Sequence, residues 1–315
     1  MNKYAPILIP TLNRYLHFER CVNTLSLSDL AIETDLYIAL DYPLKDSHWE
    51  GYLKIKDYIS KIEGFKNVYV IERAKNFGAE KNLTSAINFL FENHNYIVLT
   101  EDDNEFSECF LDYMNKGNIQ FKNRKDVFSI CGYNYPIVMP TDLDSNVYFW
   151  RGFSAWGCGI WKEKWSEIDF TGGDVNRFLM NPSNIFKLNK YAGNYFPALL
   201  EVELKNHVTG DTLVSMYLVK NNYGCIFPNV SMVRNHGHDG TGVHGGLLVD
   251  NIYSSQQIDA NKEFNFKFEN VNLIENVNIN LLLKKHFRLN FLRLAYTYLK
   301  YFSYFISNKL KVYGK

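Results

Sequence analysis

The sequence predicts an α/β fold built on a mainly parallel β-sheet with helices on both faces. Between residues 5 and 100, short apolar runs alternate four times with segments of helical periodicity, as expected for parallel strands joined by crossover helices. A composition of 46% hydrophobic and 22% charged residues is typical of a globular protein. No Gly-x-Gly-x-x-Gly follows the first run and no Gly-x₄-Gly-Lys-Ser/Thr occurs, so the sequence lacks the main signals of dinucleotide and P-loop folds.

The predicted elements follow from this alternation. The apolar runs that predict strands lie at residues 5–10, 36–40, 68–71, 96–100, 127–131 and 224–228. A helix is expected to start at the N-cap candidate Ser107. Residues 170–212 are polar and rich in turn formers, and they show no clear periodicity.

Three consecutive carboxylates, Glu101 to Asp103, follow the fourth run where the predicted strand leaves the sheet. Like charges this close repel one another and raise each other's pKa unless a cation joins them. Oxygen ligands of this kind suit Mg²⁺ or Mn²⁺. The triplet therefore indicates a divalent metal site, and a solvated acidic turn is the alternative.

Polar side chains also follow the other three predicted strands of this half. They are Thr11, Asn13 and Arg14 after the first strand, Asp41 after the second and Arg73 after the third. Ligands of open α/β sheets bind outside the carboxyl ends of the strands. The sequence therefore predicts one ligand site at this edge, with the acidic triplet as part of it.

Two glycine-rich segments of the second half carry further candidates. Residues 148–161 are aromatic and lack acids, and Trp156 lies there between small residues, where its ring could stack on a sugar. Core packing is the alternative, and we prefer it for Trp161 and Trp165. Residues 233–246 hold three histidines and five glycines, which predicts a mobile loop with potential ligands.

The net charge of zero conceals an asymmetry. Eight Lys or Arg and no acids follow residue 275, which leaves 26 basic and 34 acidic residues before it, a body of −8 and a tail of +8. Nucleic acid is therefore not an expected partner of the body. Taken as a helix, residues 284–315 are basic, aromatic and amphipathic, which favours an anionic membrane surface as partner, with packing on the body or a second copy as the alternative. We expect deletion of this tail to leave the body functional.

The expected compartment is the cytoplasm, with a peripheral position on the inner face of the cell membrane. Five scattered cysteines without a Cys-x-x-Cys pair fit a reducing environment. No signal peptide is apparent, and no apolar run is long enough to span a bilayer.

In their order and spacing these motifs resemble those of nucleotide-sugar glycosyltransferases of the GT-A fold. The motifs are 10–14, Asp41, 73–81, Glu101 to Asp103, 154–161 and 240–245. They are similar to inverting N-acetylglucosaminyltransferases of the eukaryotic N-glycan pathway and to bacterial polysaccharide-assembly enzymes with a Glu-Asp-Asp motif. The resemblance covers roughly residues 4–250 and implies a GT-A fold with a C-terminal helical extension.

The resemblance also implies roles for individual residues. Asp103 and His244 would hold Mn²⁺ or Mg²⁺, and Asp211 would be the catalytic base, with Glu201 and Glu203 as substitutes because Gly210 and Thr212 stand where the family has aromatics. Asp41 would accept a hydrogen bond from a uracil N–H. The implied donor-binding residues are Pro10, Thr11, Asn13, Arg14, Asp41, Arg73, Lys81, Glu101, Asp102, Trp156 and His244.

The function expected from sequence is a metal-dependent inverting glycosyltransferase. It would move a hexosyl or N-acetylhexosaminyl group from a nucleotide-sugar, favoured as UDP-linked, to a saccharide or lipid-linked saccharide in surface polysaccharide assembly. Residues 1–132 would bind the nucleotide-sugar, residues 133–283 would bind the acceptor within the same GT-A domain, and residues 284–315 would form the basic helix. The alternatives are a metallohydrolase using His236, His238 and His244, and a non-catalytic carbohydrate-binding protein.

Overall fold

A computed structural model of the chain describes residues 3–141, 143–191, 193–205, 208–242, 251–267 and 275–313. The strands are β1 Ile7–Thr11, β2 Asp35–Leu40, β3 Asn67–Glu72, β4 Tyr96–Leu99, β5 Asn104–Phe106, β6 Val127–Cys131, β7 Val147–Trp150, β8 Cys158–Trp161, β9 Gly224–Pro228 and β10 Val233–Asn235. The helices are α1 Tyr15–Ser26, α2 Asp46–Ile59, α3 Ala79–Phe91, α4 Phe110–Phe121, α5 Lys162–Trp165, α6 Val175–Leu179, α7 Pro182–Tyr191, α8 Tyr195–Lys205, α9 Gly210–Asn221, α10 Val277–His286 and α11 Phe291–Tyr313.

Eight strands form one sheet in the order β3-β2-β1-β4-β8-β6-β9-β7. The pairs β1 with β2, β2 with β3, β1 with β4 and β6 with β9 are parallel, whereas β8 and β7 run antiparallel to their neighbours. The predicted α/β fold with a mainly parallel sheet is confirmed. The carboxyl ends of the parallel strands share one edge, here called the carboxyl edge, and β8 begins there because it runs the other way.

The centre of the sheet is the hydrophobic core. All residues of β4, β6, β8 and β9 are buried, which explains why these segments are continuous apolar runs rather than alternating ones. Full burial of a side chain such as Ile97 or Ile130 contributes about 1.5–3 kcal/mol. The core therefore holds the carboxyl edge, and the side chains that follow each strand, in fixed positions.

Two local expectations were wrong. Helix α4 begins at Phe110 with Cys109 at the N-cap, and the Ser107 hydroxyl instead accepts from the Cys109 amide at 3.3 Å. The stretch without clear periodicity, residues 170–212, contains α6, α7, α8 and the start of α9. Helices α6 to α8 are no longer than 11 residues, so their apolar residues recur over too few turns to show a clear period.

The tail is two helices rather than one. Lys284 and Lys285 lie in the last turn of α10, which ends at His286. Helix α11 starts after a break, where the Asn290 side chain accepts from the Arg293 amide at 2.8 Å. Within the break, the Phe287 ring stacks on Trp150 at 5.5 Å and 7°. The tail thus packs on the body through a core tryptophan, which argues against the expectation that it can be removed without effect.

A second, two-stranded sheet lies beside the carboxyl edge. Strand β5, which follows the acidic triplet directly, pairs antiparallel with β10, and Asn104 is opposite Asn235. This pairing joins the start of the glycine-rich histidine segment to the end of the triplet, although the two are more than a hundred residues apart.

Candidate active site

The acidic triplet lies in the turn between β4 and β5, and one arginine neutralises part of its charge. Arg14, just before α1, forms ion pairs with Asp102 and with Asp103, the latter at 2.8 Å. The Thr11 hydroxyl donates to Asp102 at 2.8 Å. Burial would lower the pKa of Arg14, but the charges of the two aspartates outweigh it and raise that pKa. The first and fourth strand ends therefore meet, as the sequence predicted.

Asp103 is held from two sides. Its carboxylate accepts from the Asn235 side chain at 2.8 Å, and its carbonyl accepts from the His236 amide at 2.9 Å. Gly237 lies so close that an added Cβ would be 2.2 Å from the carboxylate oxygen. The β5–β10 sheet thus fixes the carboxylate that the resemblance assigns to the metal.

Glu101 and Asp211 carry the remaining negative charge. Within the described part of the chain, neither carboxylate has a hydrogen-bond or ion-pair partner. Burial, followed by the charges of Asp103 and Asp211, raises the pKa of Glu101 well above its usual range. Burial and then the charge of Glu80 raise the pKa of Asp211 to about 6. The two groups are close enough to repel each other, so Asp211 belongs to the same site.

Helix α9 explains how Asp211 reaches this site. Because α9 leads back to β9, its first turn lies at the carboxyl edge, and Asp211 is in that turn. The Gly210 amide donates to Glu80, in the first turn of α3, at 3.2 Å. This contact joins α3 of the first half to α9 of the second across the site.

The other donor-binding candidates lie along the same edge with different partners. Both oxygens of Asp41 are engaged, because they accept from the amides of Tyr42, Phe77 and Gly78 at 2.8–2.9 Å. Arg73 donates to Asn82 and Ser85 of α3. Lys81 is exposed, and its ammonium lies 4.8 Å from the centre of the Phe77 ring. Pro10 lies in β1 and Asn13 lies between β1 and α1, and both are half-buried.

Trp156 lies at the carboxyl edge in an aromatic cluster. Its ring contacts Tyr133 at 4.7 Å, Tyr253 at 5.5 Å and His238 at 5.8 Å. Trp161 and Trp165 are buried, as expected. Tyr133 is fully buried, and its hydroxyl has no hydrogen-bond partner among the described residues. Trp156 itself is only half-buried, so part of its ring is open to a ligand such as a sugar.

The histidines of the glycine-rich segment do not converge. His236 bonds to Glu105 at 2.7 Å, and His238 packs on Tyr253 with ring centres 4.7 Å apart. Asp239 bonds instead to His17 of α1 at 2.9 Å. His244 lies outside the described residues. Among the residues that the structure describes, no group of three or more His, Cys, Asp or Glu side chains is arranged to hold a metal, so the metallohydrolase hypothesis gains no support here.

The donor set nevertheless fits a hard divalent cation such as Mn²⁺ or Mg²⁺. Among the described residues, Arg14 pairs with Asp102 and Asp103, whereas Glu101 and Asp211 have no hydrogen-bond or ion-pair partner. Mg²⁺ is usually bound by one or two carboxylates together with substrate phosphates and waters, so a complete protein cage is not required. Asp103 and Glu101 would supply oxygen ligands to such an ion.

Sequence reasoning missed Asn235, Glu80 and Tyr133. Asn235 directly precedes the candidate His236, and only the β5–β10 pairing brings it to Asp103. Glu80 had a weak signal, since an acid in the first turn of a helix after a strand lies at the carboxyl edge. Tyr133 follows a predicted strand in the same way as Asp41 and could have been found by that rule.

Comparisons with solved structures return glycosyltransferases at low similarity. The mannosyltransferase PcManGT from Pyrobaculum calidifontis, in complex with GDP-Man and Mn²⁺, has a TM-score of 0.40 and 10% identity over 70% of each chain. Staphylococcus aureus TarS has a TM-score of 0.32 and 11% identity over 46% of this chain and 24% of its own. Its fragment 1–349 has a TM-score of 0.35 over 53% of this chain and 50% of its own.

No protein-family model and no curated protein matches the sequence. Likeness to solved structures at these TM-scores carries no assignment of activity. The chemistry of the site itself must therefore support any function.

Proposed function

We propose that this chain is a metal-dependent, inverting glycosyltransferase that uses a nucleotide-sugar donor. The observation that carries the proposal is the excess of carboxylates at the carboxyl edge, where Glu101 and Asp211 have no partner among the described residues and Arg14 alone neutralises Asp102 and Asp103. A buried charge excess of this kind is costly unless a cation completes it. A divalent cation with a diphosphate group meets that need.

The donor would bind across the ends of β1 to β4. Thr11, Arg14 and Asp41 would frame the base and ribose. Asp41 would act indirectly, because it holds the loop at Phe77 and Gly78 in place by accepting from their amides. Lys81 is exposed beside this loop and would meet the diphosphate charge. A UDP-linked donor is favoured by the resemblance of the motifs. A bound Mn²⁺ or Mg²⁺ would neutralise charge that develops on the departing diphosphate.

Asp211 would be the general base. Its pKa of about 6 leaves it ionised at neutral pH yet a stronger base than an ordinary aspartate. From the first turn of α9 it would take the proton of the acceptor hydroxyl on the face opposite the diphosphate, which inverts the anomeric carbon. Glu201 and Glu203 lie on α8 and are paired with Lys205 and Asn176, so they support this role less well.

The acceptor would lie on the side of the second half. Trp156, with the buried Tyr133 ring behind it, would stack on a sugar ring. We propose a saccharide or lipid-linked saccharide acceptor in surface polysaccharide assembly, at the cytoplasmic side of the cell.

Isothermal titration with UDP tests the proposal directly. With Mn²⁺ present we expect saturable binding, and chelation of the metal should abolish it. Asp103→Asn should lose the Mn²⁺-dependent binding of UDP. Asp169→Asn, at an exposed aspartate between α5 and α6, should bind UDP as the wild type does. Equal UDP binding with and without Mn²⁺, or tight uptake of zinc without nucleotide, would overturn the proposal.

A further inference from the structure

Helix α11 has two apolar faces, and among the described residues only the inner face packs on the body. On the inner face, the Tyr301 hydroxyl donates to the Leu179 carbonyl at 2.8 Å, and the rings of Tyr298 and Tyr301 pack on Phe196. Tyr304 is also buried. This face explains why the helix is docked.

The outer face carries a second apolar stripe. Its side chains recur at three- and four-residue intervals, the spacing of one face of a helix, and each is 54–79% exposed. The members are Leu292, Tyr296, Leu299, Phe302, Ile306 and Leu310. The helix has 23 residues and is therefore about 34 Å long, so the stripe is a continuous exposed apolar surface. Such surfaces mark interaction sites rather than ordinary solvent-exposed positions.

Basic side chains line both borders of the stripe. Arg293 and Lys300 lie on one border and Lys309 on the other, and none of the three forms an ion pair within the part of the chain that the structure describes. No acid occurs after Glu275, so nothing on these helices offsets the charge. Long basic side chains beside an apolar stripe can extend to phosphate groups while the stripe enters the acyl boundary.

We infer that the outer face of α11 docks on an anionic lipid surface, with the helix lying in the plane of the interface. No described helix is long and apolar enough to cross a membrane. A second copy of this chain fits the face less well, because self-pairing through the stripe would bring the same cations of both copies together. The positive border instead complements lipid phosphates.

The test is vesicle co-sedimentation of the full chain with purified lipids. The apolar variant is Leu292→Gln with Leu299→Gln and Leu310→Gln, and the charge variant is Arg293→Gln with Lys300→Gln and Lys309→Gln. The matched control is Leu27→Gln with Ile32→Gln and Leu53→Gln, which replaces three exposed apolar residues elsewhere, 56–63% exposed against 66–79% for the three replaced on the stripe. Circular dichroism and thermal melting check that each variant is folded.

The wild type should bind vesicles of phosphatidylcholine with phosphatidylglycerol and bind phosphatidylcholine alone weakly. The apolar variant should lose at least about tenfold in partitioning, the charge variant should lose the preference for phosphatidylglycerol, and the control should bind as the wild type. Unchanged binding by the apolar variant would overturn the inference. So would a wild-type dimer in solution that the apolar variant converts to monomer. Metal-dependent UDP binding, measured on the same variants, should stay unchanged, which separates this test from that of the enzyme activity.

Discussion

Replacing the proposed base with an amide should make the protein more stable and less active. Asp211→Asn removes a carboxylate whose pKa is raised from 3.8 to about 6 by burial and by Glu80. A folded-state pKa above the unfolded value means that ionisation opposes folding. The opposition is absent below about pH 4 and complete above about pH 6. A shift of about two pKa units corresponds to about 3 kcal/mol, so the variant should gain up to that amount at pH 7.5.

The assay is chemical denaturation at two pH values together with donor turnover. The gain in unfolding free energy should be present at pH 7.5 and small at pH 3.5, where the carboxyl is mostly protonated in both the folded and the unfolded protein. In the presence of Mn²⁺, release of nucleoside diphosphate from the donor should fall about 100-fold or more, with little change in UDP affinity. Glu201→Gln, on an exposed ion pair of α8, is the activity control and should turn over normally.

Two results would refute this reasoning. One is a stability gain of equal size at both pH values, which would mean that the effect does not come from ionisation of Asp211. The other is a variant with wild-type turnover, which would assign the base to another carboxylate.

Three further predictions concern the surroundings of the triplet and the tail. Arg14→Gln removes the ion pairs of two buried carboxylates and should lower the unfolding free energy by about 3–5 kcal/mol. It should also abolish metal-dependent UDP binding, and UDP binding at wild-type strength would contradict the role. Gly237→Ala places a Cβ 2.2 Å from the Asp103 carboxylate and should weaken Mn²⁺-dependent binding in titration; unaltered affinity would show that Asp103 can move freely. Phe287→Ala removes the ring stacked on Trp150 and should lower the unfolding free energy by about 2 kcal/mol, and a change below 0.5 kcal/mol would show that the tail is not part of the core.

The first half of the fold could be predicted because β1, β2 and β4 are almost entirely buried apolar runs and its helices are long enough to show a period. Apolar runs such as 96–100 need no tertiary information, and the polar group after each strand marks the carboxyl edge by topology alone. The helices of 175–205 could not be predicted in this way. Each is short, and its stability comes from packing against neighbours rather than from a repeated pattern.

Part of the candidate site could also be predicted from the sequence, and part could not. That Arg14 and the triplet meet follows from strand order, and the structure shows them in contact. The engagement of Asp41 by loop amides could not be deduced, because it depends on the path of the chain after β3. The Asn235 contact with Asp103 depends on an antiparallel pairing across more than a hundred residues, for which neither strand has a local signal.

The short sheet of β5 and β10 makes the position of Asp103 sensitive to the length of both strands. Since the His236 amide is bonded to the Asp103 carbonyl, an inserted residue in Asn104–Phe106 or Val233–Asn235 would turn the Asn235 side chain away from the carboxylate. The position of Asp103 therefore fixes the number of residues in each of these two strands. An exchange of segments meant to alter substrate preference has to keep both strands at their present length.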